Sequence, residues 1–449
     1  MKNPEKQYID LFVDNRDLIN GHSVAVLNAM REQALADFQR LGFPSQKVER
    51  YKYTDVASLF VPDFGLNLGR IDIPVNPYEA FRCDVPNLSS SLYFVVNDQF
   101  YDKALPKVSL PEGVVVGSLA KAAQEMPHLV EPYYGQLART SKDGVNALNT
   151  LLCQDGLFVY VPKGVHVERP IQVVNILRSD VDLMANRRLL VILEPEAEVK
   201  MLFCDHTADN RNCLVTQVGE VFMGENAHLE LYELEETNVG CRRISNIYVD
   251  EAAYASATID SITLHNGTSR NRTDVTLSGP SAEVSMYGLV VADKEQHVDN
   301  NTLIDHRSTD QQSTERYKYV LDGKSVGAFA GRVLVREGAQ RTSSNEVNAN
   351  LCTTRTARMY TQPMLEIYAD DVKCSHGSTV GQLNEQALFY MRQRGIPEEE
   401  ARMLLKFAFA QEVLESIRMD ALRDRLHYLV EKRLRGELSK CEGCRLCGQ

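Results

Sequence analysis

Two places in this chain bring side chains able to bind metals or act as nucleophiles close together. The first is Cys374-Ser375-His376. In an extended segment, residues two apart point to the same side, so Cys374 and His376 share a face. A thiolate and an imidazole are soft-to-borderline ligands suited to iron or zinc. Two ligands do not complete a tetrahedral site, so further donors must come from elsewhere in the fold or from a second chain. The competing reading is a buried thiol beside a hydrogen-bonded imidazole.

The second place is the terminal run Cys441-Glu442-Gly443-Cys444-Arg445-Leu446-Cys447. Cys-x-x-Cys-x-x-Cys is the spacing that opens bacterial ferredoxin-type cluster loops. No fourth cysteine follows before Gln449. Three readings stand: a metal or iron–sulfur site completed by an outside ligand, a redox-active thiol tail, or incidental cysteines at an unordered end. The remaining cysteines, Cys83, Cys153, Cys204, Cys213, Cys241 and Cys352, show no tight pairing pattern and read as buried, reduced thiols.

Other chemistries are excluded by pattern. Asp322-Gly323-Lys324-Ser325 is the nearest string to a phosphate-binding loop, but it lacks the earlier glycine and the loop length. The chain therefore reads as one that does not hydrolyse nucleotides. The chain is read as having neither a Gly-x-Ser-x-Gly nucleophile elbow nor a His-Glu-x-x-His metal helix. The net charge of −12 disfavours general nucleic-acid binding. The opening residues MKNPEKQYID are charged where a signal peptide needs an apolar run, and no apolar stretch is long enough to span a bilayer. The expectation is a cytoplasmic chain with no membrane and no nucleic-acid partner.

The elements that must position these residues follow from length and periodicity. The chain has 449 residues, 44% apolar and 24% charged, a globular composition that fits two or three structural parts. Residues 1–150 read as mostly helical or mixed. Leu27, Met30, Ala34 and Phe38 fall on one helical face, with Ser23 as the expected cap and Gly42 and Pro44 as the stop. A polar and aromatic piece, Glu49 to Asp55, comes next, then a region punctuated by Pro74, Pro77, Pro86 and Pro106. A short helix is expected near Val116 to Met126.

Residues 151–380 change character. Short β-forming segments such as Leu157–Val161 and Leu189–Leu193 recur. A small turn phrase recurs with them at Pro195-Glu196-Ala197, Glu225-Asn226-Ala227, Pro280-Ser281-Ala282 and, degenerately, Glu337-Gly338-Ala339. The steps fit a unit of roughly 25–30 residues, the range of stacked coils. No helix of useful length interrupts the region, which excludes a doubly wound sheet. The choice lies between a β-solenoid and an antiparallel sandwich, and the recurring phrase favours the solenoid. Residues 381–436 return to helix. One segment runs from Asn384 to Arg394. A second starts with Pro397 at its first position and Glu398, Glu399 and Glu400 at the positive end of its dipole. A third runs from about Asp420 to Arg435. This helical end is either a cap for the solenoid or a docking surface. Residues 437–449 form the cysteine tail.

The run Pro363-Met364-Leu365-Glu366-Ile367-Tyr368-Ala369-Asp370-Asp371-Val372-Lys373-Cys374-Ser375-His376-Gly377 resembles the signature of the SufB/SufD family, in the form carried by its SufD branch. The resemblance extends through Ala387-Leu388-Phe389-Tyr390-Met391-Arg392-Gln393-Arg394-Gly395-Ile396, Gly327–Val333, and the N-terminal Gly42-Phe43-Pro44 and Lys52-Tyr53-Thr54. Tyr51 stands where the family commonly has Trp. The resemblance implies a right-handed parallel β-helix core flanked by N-terminal and C-terminal helical regions. It implies a non-enzymatic scaffold subunit of the SufBCD complex for iron–sulfur cluster assembly. Such a chain pairs with SufB through the β-core and receives the ATPase SufC on its C-terminal helices, with a homodimer in isolation left open. The family's role in cluster formation at the SufB–SufD interface carries over to His376, and Cys374 follows as its neighbour. No tightly bound cofactor is implied, only a transient iron–sulfur cluster or iron at that interface. The tail is outside the family pattern, so Cys441, Cys444 and Cys447 stay as residue-level metal candidates.

Two rival functions remain on residues alone. A β-helix acting on polysaccharide would use acids such as Asp370 and Asp371, which read more simply as a solvated turn. A metal store or redox sensor would centre on the tail.

Overall fold

The computed structural model describes residues 4–73, 77, 88–103 and 110–437. Its helices are α1 (Pro4–Gly21), α2 (Ala25–Ala29), α3 (Arg31–Leu41), α4 (Val56–Leu59), α5 (Leu119–Glu125), α6 (Pro127–Val130) and α7 (Gly144–Leu152), then α8 (Glu385–Gln393), α9 (Glu398–Leu414) and α10 (Asp420–Leu434). The first strands are β1 (Ser91–Val96), β2 (Gln99–Phe100) and β3 (Val115–Ser118). The repeating part runs through β4 (Leu157–Val161), β5 (Ile171–Leu177), β6 (Leu183–Leu193), β7 (Glu198–Thr207), β8 (Cys213–Met223) and β9 (His228–Glu236). It continues with β10 (Cys241–Glu251), β11 (Ser256–His265), β12 (Thr268–Leu277), β13 (Glu283–Ala292), β14 (His297–His306) and β15 (Gln312–Leu321). It closes with β16 (Val326–Val335), β17 (Thr342–Cys352), β18 (Arg358–Thr361), β19 (Met364–Ile367) and β20 (Val372–Gly381).

The strands form two sheets. Sheet one is ordered β2-β1-β5-β7-β9-β11-β13-β15-β17-β20, and sheet two β18-β16-β14-β12-β10-β8-β6-β4-β3, with β19 also on β16. Successive strands alternate between the sheets, and neighbours within each sheet are parallel except β1–β2 and β3–β4. This is a parallel β-solenoid, and the sandwich alternative falls. Val173, Val191, Val221, Leu231, Val249, Ile259 and Phe329 face inward into one core.

The recurring turn phrase has a backbone cause. Glu196, Asn226 and Ser281 have positive φ, and each precedes an alanine with no exposed surface. The left-handed residue aims its N–H at the next turn: Glu196 donates to Glu225 O at 2.8 Å, Asn226 to Ala253 O at 2.8 Å, and Ser281 to Thr309 O at 3.0 Å. A further copy, Ala253-Tyr254-Ala255, hides behind an aromatic: Tyr254 has φ 59° and donates to Pro280 O at 3.0 Å. It falls between Ala227 and Ala282, so the rung is about 28 residues long.

The flanking helices lie along the outside of the solenoid. Tyr8 and Phe12 of α1, Ala34 and Phe38 of α3, and Leu148 and Leu151 of α7 pack on Met184, Leu214 and Ile244 of sheet two. The cover explains why every residue of β6 is buried, on both faces, with Arg187 and Arg188 paired to Asp205 and Glu220. Leu27, Ala34 and Phe38 are buried as their spacing predicts. Ser23 does not cap the helix. Val24 holds that position, and the Ser23 hydroxyl accepts from Arg31 Nη2 at 3.1 Å instead. The buried Arg31 guanidinium also donates to Cys153 O at 2.6 Å, satisfying the end of α7. Helix α1 is not announced by the sequence pattern, because it buries only the widely spaced Tyr8, Phe12 and Ile19.

The Glu49–Thr54 piece straps successive rungs of sheet two from outside. Arg50 donates to Asp274 at 2.6 Å and to Asn301 at 2.7 Å. Tyr53 stacks on Tyr360 at 4.8 Å, and Thr54 donates to Asp299 at 2.6 Å.

At the other end, Val413, Leu414, Ile417, Leu426 and Leu429 of the α9–α10 pair pack on Leu202, Leu234, Ile262 and Leu289 of sheet one. Arg433 fastens α10, donating to Leu264 O at 2.6 Å and to Asp293 at 2.8 and 2.9 Å. Asn384, where the helical segment is expected to begin, caps α8, whereas Pro397 sits at the cap of α9 rather than at its first helical position. These helices run along the side of the solenoid and leave its last rung open.

Candidate functional site

Cys374 and His376 lie on β20, which pairs with β17 along its length and stands last in sheet one. The register places Cys374 beside Ser344 and His376 beside Glu346. Ser344 and Glu346 are buried inward-facing residues, so Cys374 and His376 also occupy the inward face. Among the described residues, no further rung covers them. Cys374 is half-buried against Val333, Val335, Ala339 and Ala369, while His376, Ser378 and Val380 are exposed. Burial raises the Cys374 thiol above its ordinary value, against the pull of the Ser344 backbone N–H.

A polar column runs inward behind each residue. Behind Cys374, the Ser344 hydroxyl accepts from Ser313 Oγ at 2.8 Å, and Ser313 Oγ lies 2.9 Å from His306 Nε2. Burial pushes His306 down to about 4, so it is neutral near pH 7. Behind His376 stand Glu346 and then Glu315, in register on successive rungs. Burial, with Glu315 adding repulsion, pushes Glu346 up to about 9. Burial likewise raises Glu315 to about 7. Among the described residues, neither carboxyl forms an ion pair. Gly331 makes room for this column, since a Cβ there would strike the Glu346 carboxyl.

These deeper residues were not singled out from sequence. Their signal is the rung period itself, which sets 315, 346 and 376 in one column. Asp370 and Asp371 are exposed, and the Asp371 backbone links to Arg341 N and Gln340 Oε1 in a turn, as expected of a solvated pair. Cys153, Cys204, Cys213 and Cys241 are buried thiols outside any disulfide, and Cys352 is half-buried. Cys83 and the tail residues Cys441, Cys444 and Cys447 lie outside the described residues. Gly323-Lys324-Ser325-Val326-Gly327 does have the spacing of a nucleophile elbow, which corrects the expectation that none occurs. It is the turn between β15 and β16, and the buried Ser325 hydroxyl donates to Asp322 O at 2.7 Å, so it presents no nucleophile.

Among the described residues, no group of three or more His, Cys, Asp or Glu side chains is arranged to hold a metal ion. The last rung offers two ligand types, Cys374 and His376, on a face open to another molecule. Among the same residues, no helix is long and apolar enough to cross a membrane.

The fold is a parallel β-solenoid with helical flanks. Residues 2–173 match the SufBD protein N-terminal region, and residues 176–409 match the SufBD core domain of the SUF system for iron–sulfur cluster assembly. The chain belongs to the SufBD family. It is 27% identical over 409 residues to the iron–sulfur cluster assembly protein SufD of Escherichia coli, covering 90% of this chain and 92% of that one. It is 24% identical over 426 residues to SufD of Bacillus subtilis, covering 92% and 94%. A SufBD-family iron–sulfur cluster assembly protein of Synechocystis is 26% identical over 426 residues, covering 93% of each. The likeness is to the SufD type, over nearly the whole chain.

Proposed function

We propose that this chain is the non-catalytic SufD-type scaffold subunit of a cytoplasmic SufBCD assembly, and that His376, with Cys374 beside it, contributes to a nascent iron–sulfur cluster held between two β-solenoids. The observation that carries the reading is the open last rung. The inward face of β20 presents a half-buried thiol and an exposed imidazole that no further described strand covers. The cluster or its iron is cargo, and its remaining ligands come from the partner. A SufB chain is the fitting occupant, because an unpaired strand edge is a template for another strand. Tyr360, Ile367, Tyr368 and Val380 add exposed apolar surface around that edge.

The C-terminal helices are the docking site for the ATPase SufC. Phe389, Tyr390, Leu404 and Tyr428 are large, exposed and apolar on α8, α9 and α10, away from the face that packs on sheet one. ATP-driven dimerisation of SufC would shift the helices, and through Arg433 and the Lys318–Glu412 pair that shift reaches β13–β15 and their neighbours. The test is His376→Ala in the co-expressed complex. The fold and the heterodimer should persist, since His376 is exposed, while iron and acid-labile sulfide in the purified complex fall several-fold. Unchanged iron and sulfide would refute the assignment.

A further inference from the structure

Cys213 and Cys241 stand 28 positions apart in the chain and side by side in the fold. They are the first residues of β8 and β10, exact register partners on neighbouring parallel rungs of sheet two. Both face a small apolar pocket of Leu177, Ala185 and Val215, set apart from the main core. The two thiols are in hydrogen-bonding contact, and both are free. In-register parallel neighbours place their Cα atoms about 4.8 Å apart, inside the span that a disulfide bridges. Each thiol lies directly after an exposed turn, at Asn210–Asn212 for one and Val239 for the other. Arg187 and Asp209 act electrostatically on Cys213, and Arg243 interacts with Cys241.

We infer that Cys213 and Cys241 form a reversible dithiol–disulfide site that latches two rungs of the solenoid. With hydrogen peroxide as oxidant, one sulfur takes an oxygen to become a sulfenic acid, and a first water is released. The other thiol then attacks that sulfur, the Sγ–Sγ bond forms, and a second water leaves. Two electrons pass from the two sulfurs to peroxide. The hydrogen bond with Cys241, with burial, raises the Cys213 thiol and keeps it protonated at neutral pH, so closure is slow beside that of an exposed thiolate. The bond joins rungs that already touch, so the fold need not rearrange, and the link restricts the unfolded chain.

The test uses the full chain and a C441S/C444S/C447S variant that removes the tail thiols. After peroxide, non-reducing peptide mapping should find Cys213 joined to Cys241, two hydrogens lighter than the reduced pair, in both proteins. The thermal midpoint should rise by a few degrees and return on reduction. Cys213→Ser and Cys241→Ser, each checked for folding by circular dichroism, should abolish the linked peptide and the rise. Sulfinic acid at either position, linkage to a different cysteine, or a Cys213–Cys241 link seen only after unfolding in urea would each overturn the inference.

Discussion

Asp260 gives the sharpest quantitative consequence of this architecture. It lies on the outer face of β11, beneath the α9–α10 pair, and is almost fully buried. Its one hydrogen bond there comes from Ser416 Oγ at 3.3 Å, and its other oxygen has no partner. Burial pushes its carboxyl up to about 8. The folded chain therefore holds a proton that the unfolded chain releases near pH 4. The stability this proton supports is complete below pH 4 and is lost as pH rises toward 8. At pH 7 the loss is on the order of 4 kcal/mol, from about 1.4 kcal/mol for each of the roughly three pH units between the unfolded value and neutrality. Asp260→Asn keeps the shape and removes the titration, at a cost of about 1 kcal/mol for a buried amide lacking a full set of partners. The variant should lie within about 1 kcal/mol of the parent near pH 5 and exceed it by about 4 kcal/mol at pH 8. Urea unfolding at both pH values, with hydrogen exchange of 398–434 to localise the effect, measures this. A difference between variant and parent that is the same at pH 5 and pH 8 would refute the reasoning.

Gly331→Ala should force the Glu346 carboxyl aside and lower the unfolding free energy by about 1–3 kcal/mol, read from denaturant midpoints. Arg433→Ala should leave Asp293 without its clamp and strip protection from α10 in hydrogen exchange, with a loss of about 2–3 kcal/mol. Phe389→Ser with Tyr390→Ser should weaken binding of the ATPase by at least tenfold in calorimetry while leaving the melting temperature unchanged, since both side chains are exposed.

The solenoid was legible because its turns repeat a chemical phrase. At these turns a left-handed residue followed by a buried alanine lets the chain turn into the core, and Asn226-Ala227 and Ser281-Ala282 display that need openly. Tyr254-Ala255 meets the same need with a residue that does not advertise it, which is why one rung was missed. The Cys374 and His376 face was legible from strand alternation. The acids behind it were not, because Glu315 and Glu346 become neighbours of His376 only through stacking of rungs. Cys213 and Cys241 were read as unpaired for the same reason: spacing within one strand says nothing about the column above it. The placement of the C-terminal helices along the side of sheet one depends on the outward face of that sheet, where Leu202, Leu234 and Ile262 receive them. The helix periodicity specifies an apolar stripe but not which surface receives it.

The last rung also sets a limit on how this chain can be handled alone. Strand β20 carries no proline, and Lys373 is its single lysine or arginine, so little in it repels a second strand. A growing solenoid and a growing fibre present the same edge. Copies made in excess should therefore be well behaved when dilute and adhesive when crowded, and the dose of the molecule that covers the edge becomes a condition of the chain's own solubility.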